Sequence, residues 1–325
     1  MSGEGGILLY IIRGNPIPGE YRSPFLELGF ENMRWMILGA AGQLGRELTN
    51  RLGHLAIPIT RAEADLSLPE NIEKVLDKFK PGGVINCAAY NLVDKAEEQI
   101  REAFTTNCWA AGEAAGLCGV RSIPFVHLST DHVFGGTPAP GLKEGQPRPW
   151  MENDAPMPLG IYALSKLSGE HLVRMRNPTS WVIRTCGLYG RHGTGGKGSN
   201  FVETMLRLAR EGKTIRVVSD QWCTPTSVRD LAPTILELVE KMAPGLYHLT
   251  SAGQCTWHEF AQAIFDEVGQ AVRVQAITSA EFGAKARRPA WSVLQTVHQG
   301  STAMPRLRPW REGLASYLKE DWQGR

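Results

Sequence analysis

Tyr162 and Lys166 stand four residues apart in "IYALSKLSGE" (161–170), directly after the run "APMPLG". Side chains at i and i+4 share one helix face, so a helix here sets a phenol beside an amine. A free phenol titrates near ~10, too high for ready proton exchange at neutral pH. A neighbouring ammonium favours the phenolate and lowers that value. The chemistry such a pair suits is proton delivery to the oxyanion formed when a ketone accepts hydride. A hydroxyl from another element would then hold the carbonyl. Thr130, with Ser129 beside it in "HLSTDHVF", is placed for that task. The plain alternative is an exposed aromatic–cation pair worth a few tenths of a kcal/mol.

Hydride needs a donor, and a glycine turn fits one. Gly39, Gly42 and Gly45 lie in "GAAGQLG", after the apolar run "RWMIL" (34–38) and before the helical "RELTNRLG". Glycines so spaced permit a tight turn, close approach of backbone to a pyrophosphate, and close helix–strand packing. The following helix then points its N-terminus at the phosphates. No Gly-Lys-Ser/Thr follows, which excludes a P-loop. About 20 residues on, an NAD site carries an acidic residue for the ribose. This chain has Thr60-Arg61 there. A guanidinium pairs with a 2′-phosphate, which favours NADP(H) and leaves NAD(H) as the alternative. Glu63 and Asp65 argue the other way, a solvated arginine is the plain reading, and Asp65-Leu66 is a candidate adenine lining.

The elements that must position these residues follow from periodicity. Short apolar runs at 34–38, 56–60, 83–89, 123–130 and 180–185 read as strands. Helical stretches at 68–81, 96–120, 162–176 and 201–213 alternate with them or follow. Strands alternating with helices predict an α/β fold, a Rossmann-type doubly wound parallel sheet with ligands at the strands' carboxyl ends. The chain divides, on this reading, into an extension (1–33), an NAD(P)-binding domain (34–186, with later segments returning to it) and a smaller C-terminal substrate-binding lobe (mainly 187–325).

Composition narrows the class. The 325 residues are 42% hydrophobic and 21% charged, enough for a sizeable core, and the net charge of +2 gives no field for nucleic acid. No apolar run reaches the ~20 residues of a membrane helix. The six cysteines make no CxxC pair, so reduced thiols in a cytoplasmic protein are expected. The histidines show no HExxH spacing, and no metal site is expected.

Together these stretches resemble the dTDP-4-dehydrorhamnose reductase family of extended short-chain dehydrogenases/reductases. "GAAGQLGREL", "INCAAYNLVDKAEE", "HLSTDHVF", "YALSKLSGE", "VVSDQWCTPTS" and "RRPAWSVLQT" carry the likeness, from about Arg34 to Leu318. The resemblance implies reduction of the C4 ketone of a dTDP-4-dehydro-6-deoxy sugar by NADPH. It implies Thr130, Tyr162 and Lys166 as the catalytic trio. Gln43 and Leu44 would lie against the pyrophosphate, and Ala88, Ala89 and Tyr90 against the cofactor. Asn107 matches a position used for a proton relay or a helix-kink water. Asn200, Gln221, Thr226 and Arg288 would line the sugar-nucleotide side, with Arg288 on the diphosphate. Mg²⁺ and a homodimer are left open.

Departures from the family's pattern are local. His132 stands where a tyrosine is usual, Gly187 where a sugar-contacting tryptophan is usual, and Trp291 where an asparagine is usual. Trp222 is the candidate replacement for the tryptophan. Two rival readings share the fold: a non-catalytic NADP-binding module like the regulatory subunit of methionine adenosyltransferase, and a nucleotide-sugar epimerase.

Overall fold

The computed structural model describes residues 32–143, 146–192 and 198–322. The extension read over 1–33 lies almost wholly outside them. Six parallel strands form the central sheet: β1 (Trp35–Leu38), β2 (Ala56–Ile59), β3 (Gly83–Asn86), β4 (Phe125–Thr130), β5 (Ser180–Thr185) and β6 (Gly245–His248), in the order β2-β1-β3-β4-β5-β6. The direction of winding reverses between β1 and β3, which opens a crevice at their carboxyl ends. This is the Rossmann-type fold.

The strands read as unbroken apolar runs because both sheet faces are covered. Alternate residues of β1 enter separate cores. Trp35 and Ile37 pack with Leu44 and Leu48 of α1 (Gln43–Leu52) and with Leu231, Ile235 and Leu238 of α6 (Val228–Lys241). Met36 and Leu38 pack on the other face with Ile72, Val75 and Leu76 of α2 (Pro69–Phe79). Proline opens α2 at its first turn, and Lys80 closes it in the left-handed conformation. Each of its three core side chains contributes roughly 1.5–3 kcal/mol by burial.

One long helix is expected over 96–120, and the structure breaks it. A short turn (Val93–Ala96) precedes Ile100–Phe104, a π-helical turn spans Thr105–Ala110, and α3 runs Ala111–Val120. The π turn pushes the Asn107 carbonyl toward α4 (Ile161–Arg176), where a Cβ on Gly169 would stand 2.0 Å from that oxygen. The strand expected to reach 89 ends at Asn86, whose Oδ1 accepts from the Ala88 N–H and turns the chain out of the sheet.

A second core lies beyond β5. Val202, Met205 and Leu206 of α5 (Phe201–Arg210), Phe260 and Ile264 of α7 (Trp257–Glu267) and Leu314 of α8 (Trp310–Tyr317) pack together there. A parallel pair, Ile215–Val218 with Val274–Ile277, flanks them. Between β5 and α8 the chain also returns to the sheet: α6, β6, Met304 and Leu307 all belong to the β1 core.

Candidate active site

A cleft of ≈ 730 Å³ runs from the glycine turn, past the ends of β4 and β5, to the second core. Gly39 has φ +76°, and a Cβ there would lie 2.6 Å from the Ala88 nitrogen, so only glycine lets this turn close against β3. Gly42 caps α1 with no side chain on the helix's first N–H groups. Gly42, Gln43, Leu44 and Gly45 all line the cleft. Gln43 donates from Nε2 to the Leu188 carbonyl, but its buried Oε1 has no partner. An open helix N-terminus fits an anionic, phosphate-bearing ligand, and the orphaned Oε1 would accept from a hydroxyl or amide N–H of that ligand.

The β4 end and α4 bring Thr130, Tyr162 and Lys166 to one wall. The Tyr162 hydroxyl pairs with that of Thr130, which also donates to Asp131 and accepts from the His132 N–H. Burial first, with the Asp131 charge and the Cys186 thiol adding to it, pushes the Tyr162 phenol up to about 12 despite the Thr130 bond. The acidification expected from Lys166 is absent. The amine turns instead to the Leu128 carbonyl at 2.5 Å and lies 3.4 Å from His127 Nε2. Desolvation, partly opposed by Glu170, lowers Lys166 to about 8.

The remaining sequence candidates divide. Ala89, Asn200, Gln221 and Arg288 line the cleft with the trio. Asn200 caps α5 through Oδ1 and donates to the Gly190 carbonyl, so its amide holds structure as well as wall. Gln221 donates to Ser279. Arg288 is gripped by both oxygens of Asp94. Gly39, Arg61, Asp65, Leu66, Ala88, Tyr90, Asn107 and Thr226 stand off the wall. Arg61 is an exposed partner of Asp65, and Leu66 packs under β2. Tyr90 donates its hydroxyl to Gln99. Asn107 accepts from the Tyr90 N–H and donates to the Tyr90 carbonyl and to Ser165, fastening β3's exit to α4. Thr226 is fully buried, donating to the Thr224 carbonyl. Gly187 has φ +53°, and the Trp257 ring lies 3.3 Å from where its Cβ would be. Trp222 also faces the cleft, 5.8 Å from Trp291 between ring centroids.

Sequence reasoning missed what stands behind the trio. Glu170 accepts from Ser129 and from Arg184, all three buried, and Arg184 meets His248. Cys186 donates to Asp131 at 3.0 Å. His127, fully buried in β4, faces Asn86 and Lys166. The available signal is period two: Phe125, His127 and Ser129 share one face, and two polar residues in a covered strand demand partners. Among the described residues no group of His, Cys, Asp and Glu converges to hold a metal, and no helix is long and apolar enough to cross a membrane.

A sheet that reverses at β1 and β3 takes a dinucleotide there. With a phenol on α4 turned to that crevice, the molecule falls in the class of extended short-chain dehydrogenase/reductase-like α/β proteins. The RmlD substrate binding domain family matches residues 33–322, and the chain belongs to it. Two curated relatives are similar nearly end to end. The spore coat polysaccharide biosynthesis protein SpsK of Bacillus subtilis is 38% identical over 88% of this chain and 96% of its own. The dTDP-4-keto-6-deoxy-D-glucose reductase of Streptomyces niveus is 36% identical over 86% and 95%. The crystal structure of dTDP-4-dehydrorhamnose reductase from Bacillus anthracis in complex with NADP superposes with a TM-score of 0.81, 34% identity and coverage of 89% and 99%.

Proposed function

We propose that the protein reduces the C4 ketone of dTDP-4-dehydro-L-rhamnose to dTDP-L-rhamnose, with hydride from NADPH and the proton from Tyr162. The family and the named reductases of dTDP-keto sugars among its relatives support the substrate class. The observation that carries the reading is the convergence of Thr130, Tyr162 and Lys166 on one wall of the cleft that starts at the glycine turn. The phenol, hydrogen-bonded to Thr130, carries its proton at neutral pH. The alkoxide it meets is the stronger base, so the transfer runs downhill.

When bound, the nicotinamide supplies hydride to the ketone carbon. This chain's residues do the rest. The N-terminus of α1 with Gly42 would receive the cofactor's diphosphate, and Gln43 beside it would accept at Oε1 from a hydroxyl or amide N–H of the cofactor. Arg61, 86% exposed beyond β2, would pair with a 2′-phosphate in exchange for Asp65, which favours NADP(H) over NAD(H). Thr130 orients the carbonyl, and Lys166 holds the ribose hydroxyls and returns a proton to Tyr162. Asn200, Gln221 and Arg288 take the sugar nucleotide on the side of the second core, with Asp94 presenting Arg288 to its diphosphate. Residues from 187 onward thus supply most of the substrate lobe, and the free thiols suit the cytoplasm.

The test mixes protein, NADPH and a panel of nucleotide 4-keto-6-deoxy sugars and follows the nicotinamide absorbance. Tyr162→Phe is expected to lose about 10²–10⁴-fold in turnover while still binding NADPH, the usual share of a general acid. Near-normal turnover in the variant removes Tyr162 from the role. NADPH that survives every sugar with the unaltered protein removes the activity.

A further inference from the structure

His127 and Asn86 are neighbours across β4 and β3, 0% and 2% exposed, and neither touches the cleft wall. Their geometry fixes a proton. The Ala88 N–H can only donate, so the Asn86 atom 3.1 Å from it is the carbonyl Oδ1. The amide Nδ2 therefore faces the ring, 3.2 Å from His127 Nδ1. An amide NH₂ has no lone pair to offer, so Nδ1 accepts. A neutral ring then carries its hydrogen on Nε2, and Nε2 stands 3.4 Å from Lys166 Nζ. Burial, joined by the neighbouring amine, keeps His127 well below the ordinary imidazole range, so neutral is its state at physiological pH.

An N–H aimed at an amine is favourable only if the amine has a lone pair. An ammonium there would set N–H against N–H. The other groups facing Lys166 do not reverse this. Glu170, one turn along α4, is already committed to Arg184 and Ser129. The Cys87 thiol is pushed up to about 12 by burial and stays neutral, as does the Tyr162 phenol. The Leu128 carbonyl accepts from Nζ in either state of the amine.

We propose that His127, oriented by Asn86, is a positioning residue that makes Lys166 an exchangeable proton carrier rather than a fixed cation. The inference rests on the reductase reading. In each turnover Tyr162 gives its proton to the alkoxide, Lys166 as ammonium gives one to the resulting phenolate, and the free amine regains one from water. Charge and protons balance with water as the source. A carrier works best when both of its forms are populated near the working pH, and His127 destabilises the form that would otherwise dominate.

Two measurements test this. In the cofactor-free protein with ¹⁵N-labelled histidine, NMR at neutral pH should show His127 neutral with hydrogen on Nε2. Hydrogen on Nδ1 overturns the proposal and leaves the reductase reading untouched. The second is the pH profile of kcat with NADPH and a dTDP-4-keto-6-deoxy sugar. His127→Leu removes the donor, and Asn86→Asp makes the ring donate from Nδ1 and present a lone pair to Lys166. Both should move the alkaline limb up by about one pH unit or more. Lower kcat with an unmoved limb in the variant that folds means a merely structural role and sinks the idea.

Discussion

Tyr162 and Lys166 divide the labour differently from the simplest account of their spacing. The helix does set them on one face, as the i, i+4 rule requires, but each finds its own partner before it finds the other. The phenol pairs with Thr130, and the amine with the Leu128 carbonyl. Spacing along a helix is local and legible; what the next strand offers to the side-chain tips is not. The same holds for His127, visible in the sequence only as a polar residue in an apolar strand. The buried amine has a consequence for stability. In the unfolded chain it titrates near 10.5 and in the folded one near 8. Between those values the unfolded state holds more protons, so stability rises with pH across that window. Below pH 8 the whole penalty of burying the ammonium is present, and above 10.5 none is. Lys166→Met lacks this dependence. Denaturant unfolding of both proteins should show the stability of the unaltered protein relative to the variant increasing from pH 8 to 10.5, by on the order of 3 kcal/mol. A difference that stays flat over that range contradicts it.

The helices differ in how much of them the sequence shows, and the reasons are physical. α2 announces itself by an apolar stripe at 72, 75 and 76, a proline at its start and a Pro-Gly after its end. The segment 96–120 has the composition of one helix, yet carries a π turn, because the extra residue brings Asn107 round to bind both backbone groups of Tyr90. No periodicity encodes that; the tertiary bond decides it. Gly169 is the complementary mark on α4. With any side chain there, its Cβ would meet the Asn107 carbonyl at 2.0 Å, and backbone cannot yield as a flexible side-chain end does. Gly169→Ala should therefore destabilise by about 1–3 kcal/mol or more, the usual range for overpacking, even though alanine is the better helix former. Thermal denaturation reads the sign directly: a variant that melts higher would mean the two helices separate easily.

At the scale of the molecule, the first half of the sheet is legible because each strand is followed by its own helix. The second half is not, because the chain leaves for the second core after β5 and comes back. Nothing near residue 187 says that Leu231, Ile235 and Leu238 will cover the same face as Leu44, or that Gly245–His248 will pair β5 edge to edge. Met304 and Leu307 return once more from beyond α7. The reading of 34–186 as a domain with later segments returning to it therefore has an energetic corollary. Cut at 186, the glycine turn and the trio are all kept, but Trp181 and Ile183, fully buried in the whole chain, lose β6 at one edge and the α6 side chains above them. Exposing the four side chains Ile37, Leu44, Leu48 and Ile183, which share that core with α6, forfeits roughly 1.5–3 kcal/mol each, comparable in sum to the whole stability of an ordinary domain, about 5–15 kcal/mol. A fragment of residues 33–186 should accordingly show no cooperative unfolding transition and no protection of β5 amides in hydrogen exchange, while residues 33–322 together unfold cooperatively. A sharp transition in the short fragment would mean that the nucleotide half stands without its returning strand and helix, and that the cleft joins two independently stable parts.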